Sequence, residues 1–343
     1  MRVLHVIHSD GFSGVERHVA MLAAAQHDAG HRVVVVGGDP ASMVSATDRP
    51  GVTIRPGATW RETWRGVQRY ASGTDVVNLH MTASELVVCL APAARGVPLV
   101  TTRHFAQRRG VGRFGGIAQL AVPVVARRLA AQIAVSRYVA DNIDGPSQVV
   151  HAGVLGREAP DPDTRERVVL LAQRLEPEKR SDVALRAFSA SGLGASGWRL
   201  DVAGTGSERR HLERLATSLA LTPAEVRFLG QRSDIPERMA TAGLLISPRP
   251  DEAYGLSVLE AMACGLPVVA TRAGGHLETL GLLDAPALFP PGDVEAAAAE
   301  LRRLADDPEE RRRLAVAQRD LQRSRFTLEA QQRATDEVYR GVR

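Results

Sequence analysis

Ile246 to His276 reads ISPRPDEAYGLSVLEAMACGLPVVATRAGGH. The order is a strand end, a loop, a short helix, a Gly-Pro stop, a second strand and a Gly-Gly turn. Leu256 to Cys264 is expected to be helical, with Gly255 before it and Gly265 at its C-terminal cap. Pro267 stops any continuation, and PVVAT reads as a buried strand. Val258, Leu259, Met262 and Ala263 suit packing against a sheet, but two carboxylates do not: Glu252 lies in the loop and Glu260 in the second helical turn. Taken alone, Glu252 could cap the helix and Glu260 could lie on a solvated face. The amides of Leu256 and Ser257, however, are unpaired at a helix start and suit an anion such as phosphate. Amides for a phosphate and carboxylates for hydroxyls together match a sugar joined to a nucleotide diphosphate.

The whole string resembles the donor-binding signature of retaining GT-B glycosyltransferases of the glycogen-synthase-like, family-four type. That signature has two glutamates separated by seven residues, an aromatic-Gly dipeptide after the first, then Glu-Ala-Met-Ala-x-Gly-x-Pro-Val-Val, as stands here from Glu252. The resemblance implies an α/β chain of two doubly wound, Rossmann-like domains facing across a cleft. It also implies transfer with retention, without a metal or other cofactor.

Composition sets bounds. A chain of 343 residues, 44% apolar and 24% charged, suits two soluble domains. Aromatics at 4% disfavour stacking platforms for nucleic acid. Cys89 and Cys264 have no metal-ligand spacing and read as buried, reduced thiols. The start has no signal-peptide layout and no run reaches membrane-spanning length, so a cytoplasmic enzyme is expected, with room for peripheral membrane contact. Net charge is +4, and residues 86–140 hold eight Arg and no Asp or Glu. That segment favours an anionic or lipid-linked acceptor, or anionic lipid under the apolar run Leu120 to Ala126, though a solvated basic face is the plainer account. One cation differs from the rest: Lys179 is the sole lysine among 43 basic residues.

In the first half, Arg2 to Ile7, a glycine-containing loop, a helix and Arg32 to Val36 open a doubly wound parallel sheet. Gly11 and Gly14 do not make a dinucleotide fingerprint, which disfavours a dehydrogenase. Ser13-Gly14-Val15-Glu16 resembles the family's Gly-Gly-x-Glu loop, so Gly14 is expected to allow close backbone approach. Further strands are expected at 52–54, 75–79, 98–101 and 132–135, with helices at 62–70, 83–94 and 117–130. His104 falls past a strand's C-terminal end, where open α/β sheets bind ligands. It is assigned a substrate role, ahead of His8 and His80. Ser136 reads as a helix cap.

The first domain is expected over 1–156, the donor domain over 157–325, and a helix at 326–343 returning to the first. Ala152-Gly153-Val154-Leu155 replaces the family's Asn-Gly-Val-Asp. Asp161-x-Asp163 in the Pro-rich linker reads as linker rather than metal site. The second domain opens with QRLEPEKR, which resembles Gly-Arg-Leu-x-x-x-Lys-Gly, whose Arg and Lys bind the donor diphosphate. Arg174 and Lys179 match those positions; Gln173 and Arg180 replace the glycines. Gly204-Thr205-Gly206 resembles the family's turn beside the nucleotide.

The resemblance thus implies catalytic roles for His104, Glu252, Arg174 and Lys179. Gly14, Gly204, Gly255, Leu256, Ser257 and Glu260 complete the substrate contacts, with Glu260 on the ribose. A UDP-sugar is placed slightly ahead of a GDP-sugar. The alternatives are an epimerase of the same fold or a non-catalytic binding scaffold. The sugar, linkage and oligomeric state are not readable.

Overall fold

The structure is a computed structural model describing residues 1–109, 115–158, 160–161 and 164–343, with the backbone alone for 115–121. The chain divides into two units: Met1–Gly153 together with Leu328–Arg343, and Val154–Thr327.

The first unit holds seven strands: β1 (Arg2–Ile7), β2 (Arg32–Val36), β3 (Thr53–Arg55), β4 (Val76–His80), β5 (Leu99–Arg103), β6 (Leu129–Ala134) and β7 (Gln148–Val149). Their order is β3-β2-β1-β4-β5-β6-β7, all parallel. Helices α1 (Gly14–Asp28), α2 (Pro40–Thr47), α3 (Trp60–Tyr70), α4 (Thr82–Cys89), α5 (Gly115–Arg128) and α6 (Arg137–Asn142) connect them. The strand direction of travel reverses between β1 and β4, the place where such sheets bind ligands beyond their C-terminal edge.

The second unit has β8 (Glu166–Ala172), β9 (Arg199–Ala203), β10 (Val226–Gly230), β11 (Ala242–Ser247), β12 (Val268–Thr271) and β13 (Leu288–Phe289) in the order β10-β9-β8-β11-β12-β13. Its helices are α7 (Ser181–Ser191), α8 (Arg209–Ser218), α9 (Ile235–Thr241), α10 (Leu256–Ala263), α11 (His276–Thr279), α12 (Val294–Asp306) and α13 (Pro308–Arg325). Here the switch lies between β8 and β11. The core is built by the sequence's apolar runs: Val169 and Leu171 of β8, Leu200 and Val202 of β9, and Phe188 of α7 are all buried. The last helix, α14 (Leu328–Gly341), belongs to the first unit, where Tyr339 and Val338 pack beside Val3 and Val76.

Several sequence expectations shift. The strand expected at 132–135 begins three residues earlier, at Leu129, and shortens the preceding helix to Arg128. The helix expected over 83–94 ends at Cys89, because Pro92 starts a separate 3-10 turn. Cys89 is only half-buried, whereas Cys264 is buried. Ser136 does cap α6, its Oγ accepting from Val139 N at 3.0 Å.

Within the arginine-rich 86–140 segment, Arg95, Arg108, Arg127 and Arg137 are exposed, but two other arginines are not part of a surface. Arg103 and Arg109 are buried and spent internally: Arg109 donates to Glu85 at 2.7 and 2.8 Å and pairs with Asp144, and Arg103 donates to Asp144 at 3.2 Å. Arg113, Asp163 and the side chains of Leu120 and Ala121 lie outside the described residues. Among the described residues no helix is long and apolar enough to cross a membrane.

Candidate active site

At the second unit's switch point, two loops leave adjacent strands and meet. The loop after β8 carries Arg174 and Lys179; the loop after β11 carries Arg249 and Glu252. Lys179 Nζ lies 3.0 Å from Glu252 Oε2. Arg249 Nη1 stands 3.7 Å from the same oxygen and its Nε donates to Asp251 at 2.9 Å. Burial works against a charged Glu252, but Lys179 and Arg249 outweigh it, and the carboxyl sits below its ordinary pKa. His276 is fully buried. Its Nδ1 donates to Thr271 O at 3.0 Å and its Nε2 stands 3.2 Å from Ser247 Oγ. Burial favours the neutral ring, in which Nε2 accepts from that hydroxyl.

Glycines hold this arrangement. At Gly274, with φ +55°, a Cβ would stand 2.4 Å from Glu252 O, and the next amide, Gly275 N, donates to that oxygen at 2.8 Å. The Gly-Gly turn therefore fixes the backbone of Glu252. At Gly204, with φ +145°, a Cβ would lie 1.9 Å from Gln173 O. Leu175 N donates to Thr205 O at 2.9 Å, so Gly204-Thr205-Gly206 is fastened along the Arg174 loop.

Helix α10 starts at Leu256 behind Gly255, whose φ of +91° and missing side chain leave no cap. Val258 N and Leu259 N both turn back to Gly255 O, at 3.0 and 3.1 Å. The amides ahead of them, Leu256 and Ser257, open the first turn, where an anion is favoured. At the far end, Arg165 donates to Cys264 O at 2.6 Å and to Met239, Ala240 and Ala242 carbonyls at 2.8–3.0 Å. One guanidinium thus closes the C-terminal ends of α9 and α10 and holds the direction in which α10 points.

The structure brings Lys179 and Glu252 together and puts Gly255, Leu256 and Ser257 in one turn. Glu260 is partly buried, on the second turn of α10. Arg174 points outward: its side chain is 59% exposed and pairs with Glu178 at 3.0 Å. Arg249, His276 and the buttressing role of Gly274 were not recognised from sequence. Arg249 stands three residues before Glu252, a charge spacing that could have found it.

Gly14 and His104 belong to the first unit. Gly14 opens α1 beside Ser13, whose N and Oγ donate to Glu16 Oε2 at 2.9 and 2.7 Å. Glu16 is buried and serves the helix start. His104, just past β5, is partly buried, and its Nε2 lies 3.0 Å from His80 Nδ1.

Residues 156–320 match the family profile described as Glycosyl transferases group 1, and residues 12–154 that of Glycosyltransferase Family 4. Among curated relatives, a D-inositol 3-phosphate glycosyltransferase of Salinispora tropica is 31% identical over 253 residues, 60% of this chain and 52% of its own length. A GDP-mannose-dependent phosphatidylinositol dimannoside mannosyltransferase of Mycobacterium tuberculosis is 33% identical over 43% of this chain and 37% of its own length. The chain spans about half, or less, of the length of these relatives. Among solved structures, Anabaena HepE in complex with UDP-glucose has a TM-score of 0.81 at 22% identity, covering 99% of this chain and 100% of that one. Sucrose-phosphate synthase of Thermosynechococcus elongatus has 0.77 at 19%, covering 100% and 99%. Two glycosyltransferase profiles in series and a shared fold over the full length lead to one conclusion: the chain belongs to the GT-B glycosyltransferases.

Proposed function

We propose that the chain moves a sugar from a nucleotide-diphosphate sugar to an acceptor hydroxyl, with retention at the anomeric carbon. The observation that carries this reading is the Lys179–Glu252 pair at the sheet's switch point, its Glu252 on the loop that leads into the open first turn of α10. The leaving group is a diphosphate that gains charge as the glycosidic bond breaks. Cations and amides already in place stabilise that charge, each such contact lowering the barrier by about 3–4 kcal/mol. Lys179 turns to the diphosphate when the donor binds, joined by the Leu256 and Ser257 amides and by the exposed cation of Arg174. Glu252, released from Lys179, holds sugar hydroxyls, and Glu260 holds the ribose. These groups offset the diphosphate's charge without a divalent ion.

In the transfer, the bond from the anomeric carbon to the diphosphate oxygen breaks and a bond to the acceptor oxygen forms on the same face. The acceptor's proton passes to the departing diphosphate. His104 takes a substrate hydroxyl. UDP is placed ahead of GDP because HepE is complexed with UDP and UDP-glucose; the GDP-mannose-dependent relatives make GDP the second arm of any test. Relatives named for inositol phosphate and phosphatidylinositol mannosides support an anionic or lipid-linked acceptor. A peripheral place on anionic membrane, through the helix ending in Arg127 and Arg128, belongs to the same proposal; flotation with anionic and neutral liposomes reads it.

The test is transfer from UDP-glucose or GDP-mannose to inositol 3-phosphate, without added metal, followed by proton NMR of the product's anomeric centre. An α-linked product from the α-linked donor supports the reading. A β-linked product contradicts retention.

A further inference from the structure

Polar side chains inside a parallel strand are costly unless each is hydrogen-bonded. The first unit carries four histidines in its interior. His5 of β1, His80 at the end of β4 and His18 of α1 are buried, and His104 follows β5. Three of them form a row. His104 Nε2 is 3.0 Å from His80 Nδ1, His80 Nε2 is 3.0 Å from His5 Nδ1, and His5 Nε2 is 2.8 Å from Gln26 Oε1.

Each link needs one hydrogen, so the row has a direction. The far end sets it. Gln26 presents its carbonyl to His5, while its amide nitrogen faces Asp336 of α14. Asp336 Oδ2 already takes His31 Nε2 at 2.9 Å and Gln332 Nε2 at 2.6 Å. Asp336 Oδ1 and Gln26 Nε2 are both buried without a hydrogen-bond partner, and the Gln26 amide also faces Tyr339 Oη, which already accepts from Asn78 Nδ2 at 2.7 Å. Turning the amide would aim its oxygen at the Asp336 carboxylate, so this orientation is the favoured one. With the carbonyl of Gln26 towards His5, His5 carries its proton on Nε2 and accepts at Nδ1. His80 repeats the pattern, and so does His104. The Nδ1 of His104 is then a bare acceptor at the C-terminal edge of the sheet, with no partner among the described residues.

We propose that Gln26, His5 and His80 are positioning residues that lock His104 in its Nε2–H tautomer, so that its Nδ1 accepts from a neutral hydroxyl of a sugar or polyol. The opposite lock would make Nδ1 a proton donor suited to a phosphate or carboxylate oxygen, so the Gln26 amide decides which class of group the edge accepts. Only the ownership of that hydroxyl rests on the glycosyltransferase reading. His18 supplies an internal contrast. Gly153 N donates to Gln331 Oε1 at 2.7 Å, which turns Gln331 Nε2 towards His18 Nε2 at 3.1 Å. His18 therefore accepts at Nε2 and carries its proton on Nδ1, although its ring meets His104 edge-on at 4.8 Å.

The experiment is long-range proton–nitrogen NMR on the full chain labelled with 15N-histidine at pH 7, where bare and protonated ring nitrogens separate widely. Single His→Asn variants assign the rings. Nε2–H on His5, His80 and His104 with Nδ1–H on His18 is the expected result. A proton on Nδ1 of His104, as either the other tautomer or an imidazolium, overturns the proposal. In Gln26→Leu the lock is gone, and signals of both tautomers should appear along the row; an unchanged spectrum would deny Gln26 its role. Should that variant not fold, the wild-type spectrum still decides. No substrate is needed, so a failed transferase assay and a failed lock are separate results.

Discussion

Lys179 Nζ and Glu252 Oε2 stand 3.0 Å apart, joining the loops after β8 and β11 where the second sheet reverses. Without ligand the two neutralise each other, which lets a carboxylate and an ammonium wait together in a mostly buried place. Lys179→Ala removes a diphosphate contact and should lower kcat/KM by about 10²–10³. Lys179→Met with Glu252→Gln should recover stability lost by either single change, with a coupling of about 1–3 kcal/mol in urea unfolding, but no activity. Additive stability effects would mean that the pair is incidental.

Gly274→Ala tests the support under Glu252. A methyl group there would meet Glu252 O at 2.4 Å on a left-handed backbone. The expected stability loss is about 1–3 kcal/mol, accompanied by weaker binding of UDP-glucose, whose sugar Glu252 holds, in calorimetric titration. Unchanged affinity would show that Glu252 does not need this turn.

The histidine interior sets an acid limit on the first unit. Burial pushes His5 down to about 4 and His104 to about 3, and His18 and His80 fall well below the usual range. All four are depressed bases, so below about pH 6.5 the unfolded chain binds protons that the folded unit refuses. Stability should therefore fall as pH drops from about 6.5, by up to about 1.4 kcal/mol per pH unit per ring, until the folded values are reached. Glu252 acts lower: its depressed carboxyl contributes fully above about 4.5 and loses that contribution as pH falls through its folded value. Urea midpoints of the first unit at pH 7.5, 6.5 and 5.5 measure the slope, and His80→Asn should flatten it. A level profile would contradict neutral buried rings.

Glu85 and Arg109 form a buried pair, their side chains 0% and 3% exposed. Arg109→Met strands the Glu85 carboxylate and should cost about 3–5 kcal/mol, whereas Glu85→Leu with Arg109→Met should recover most of it. Equal loss in the single and double variants would assign the cost to packing rather than charge.

The fold was legible because β2, β8, β11 and β12 are mostly apolar runs with glycine turns between elements. Boundaries slipped where two elements share one apolar stretch. Residues before Leu129 and after it are equally compatible with helix and strand, and only pairing with β5 decides. The donor side was legible because its chemistry is local: Glu252, Gly255 and Leu256 lie within five positions, and a sole lysine stands out in any composition. Arg174 marks the limit, since spacing fixes its loop but not its outward direction. The histidine row was hidden for the opposite reason. His5 lies in β1, His80 ends β4 and His104 follows β5, and no spacing along the chain announces that their rings meet. A histidine inside β1 with no alternation to explain it was the available sign.

Thermal stabilisation by UDP, GDP, ADP and dTDP, without added metal, on wild type and Lys179→Ala tests the nucleotide-sugar reading most directly. Ligand at a hundred times its dissociation constant adds about 2.7 kcal/mol. A clear shift with one nucleotide, UDP foremost, that shrinks in Lys179→Ala is the expected result. No shift with any of the four, or an equal shift in both proteins, would contradict a diphosphate site built on Lys179.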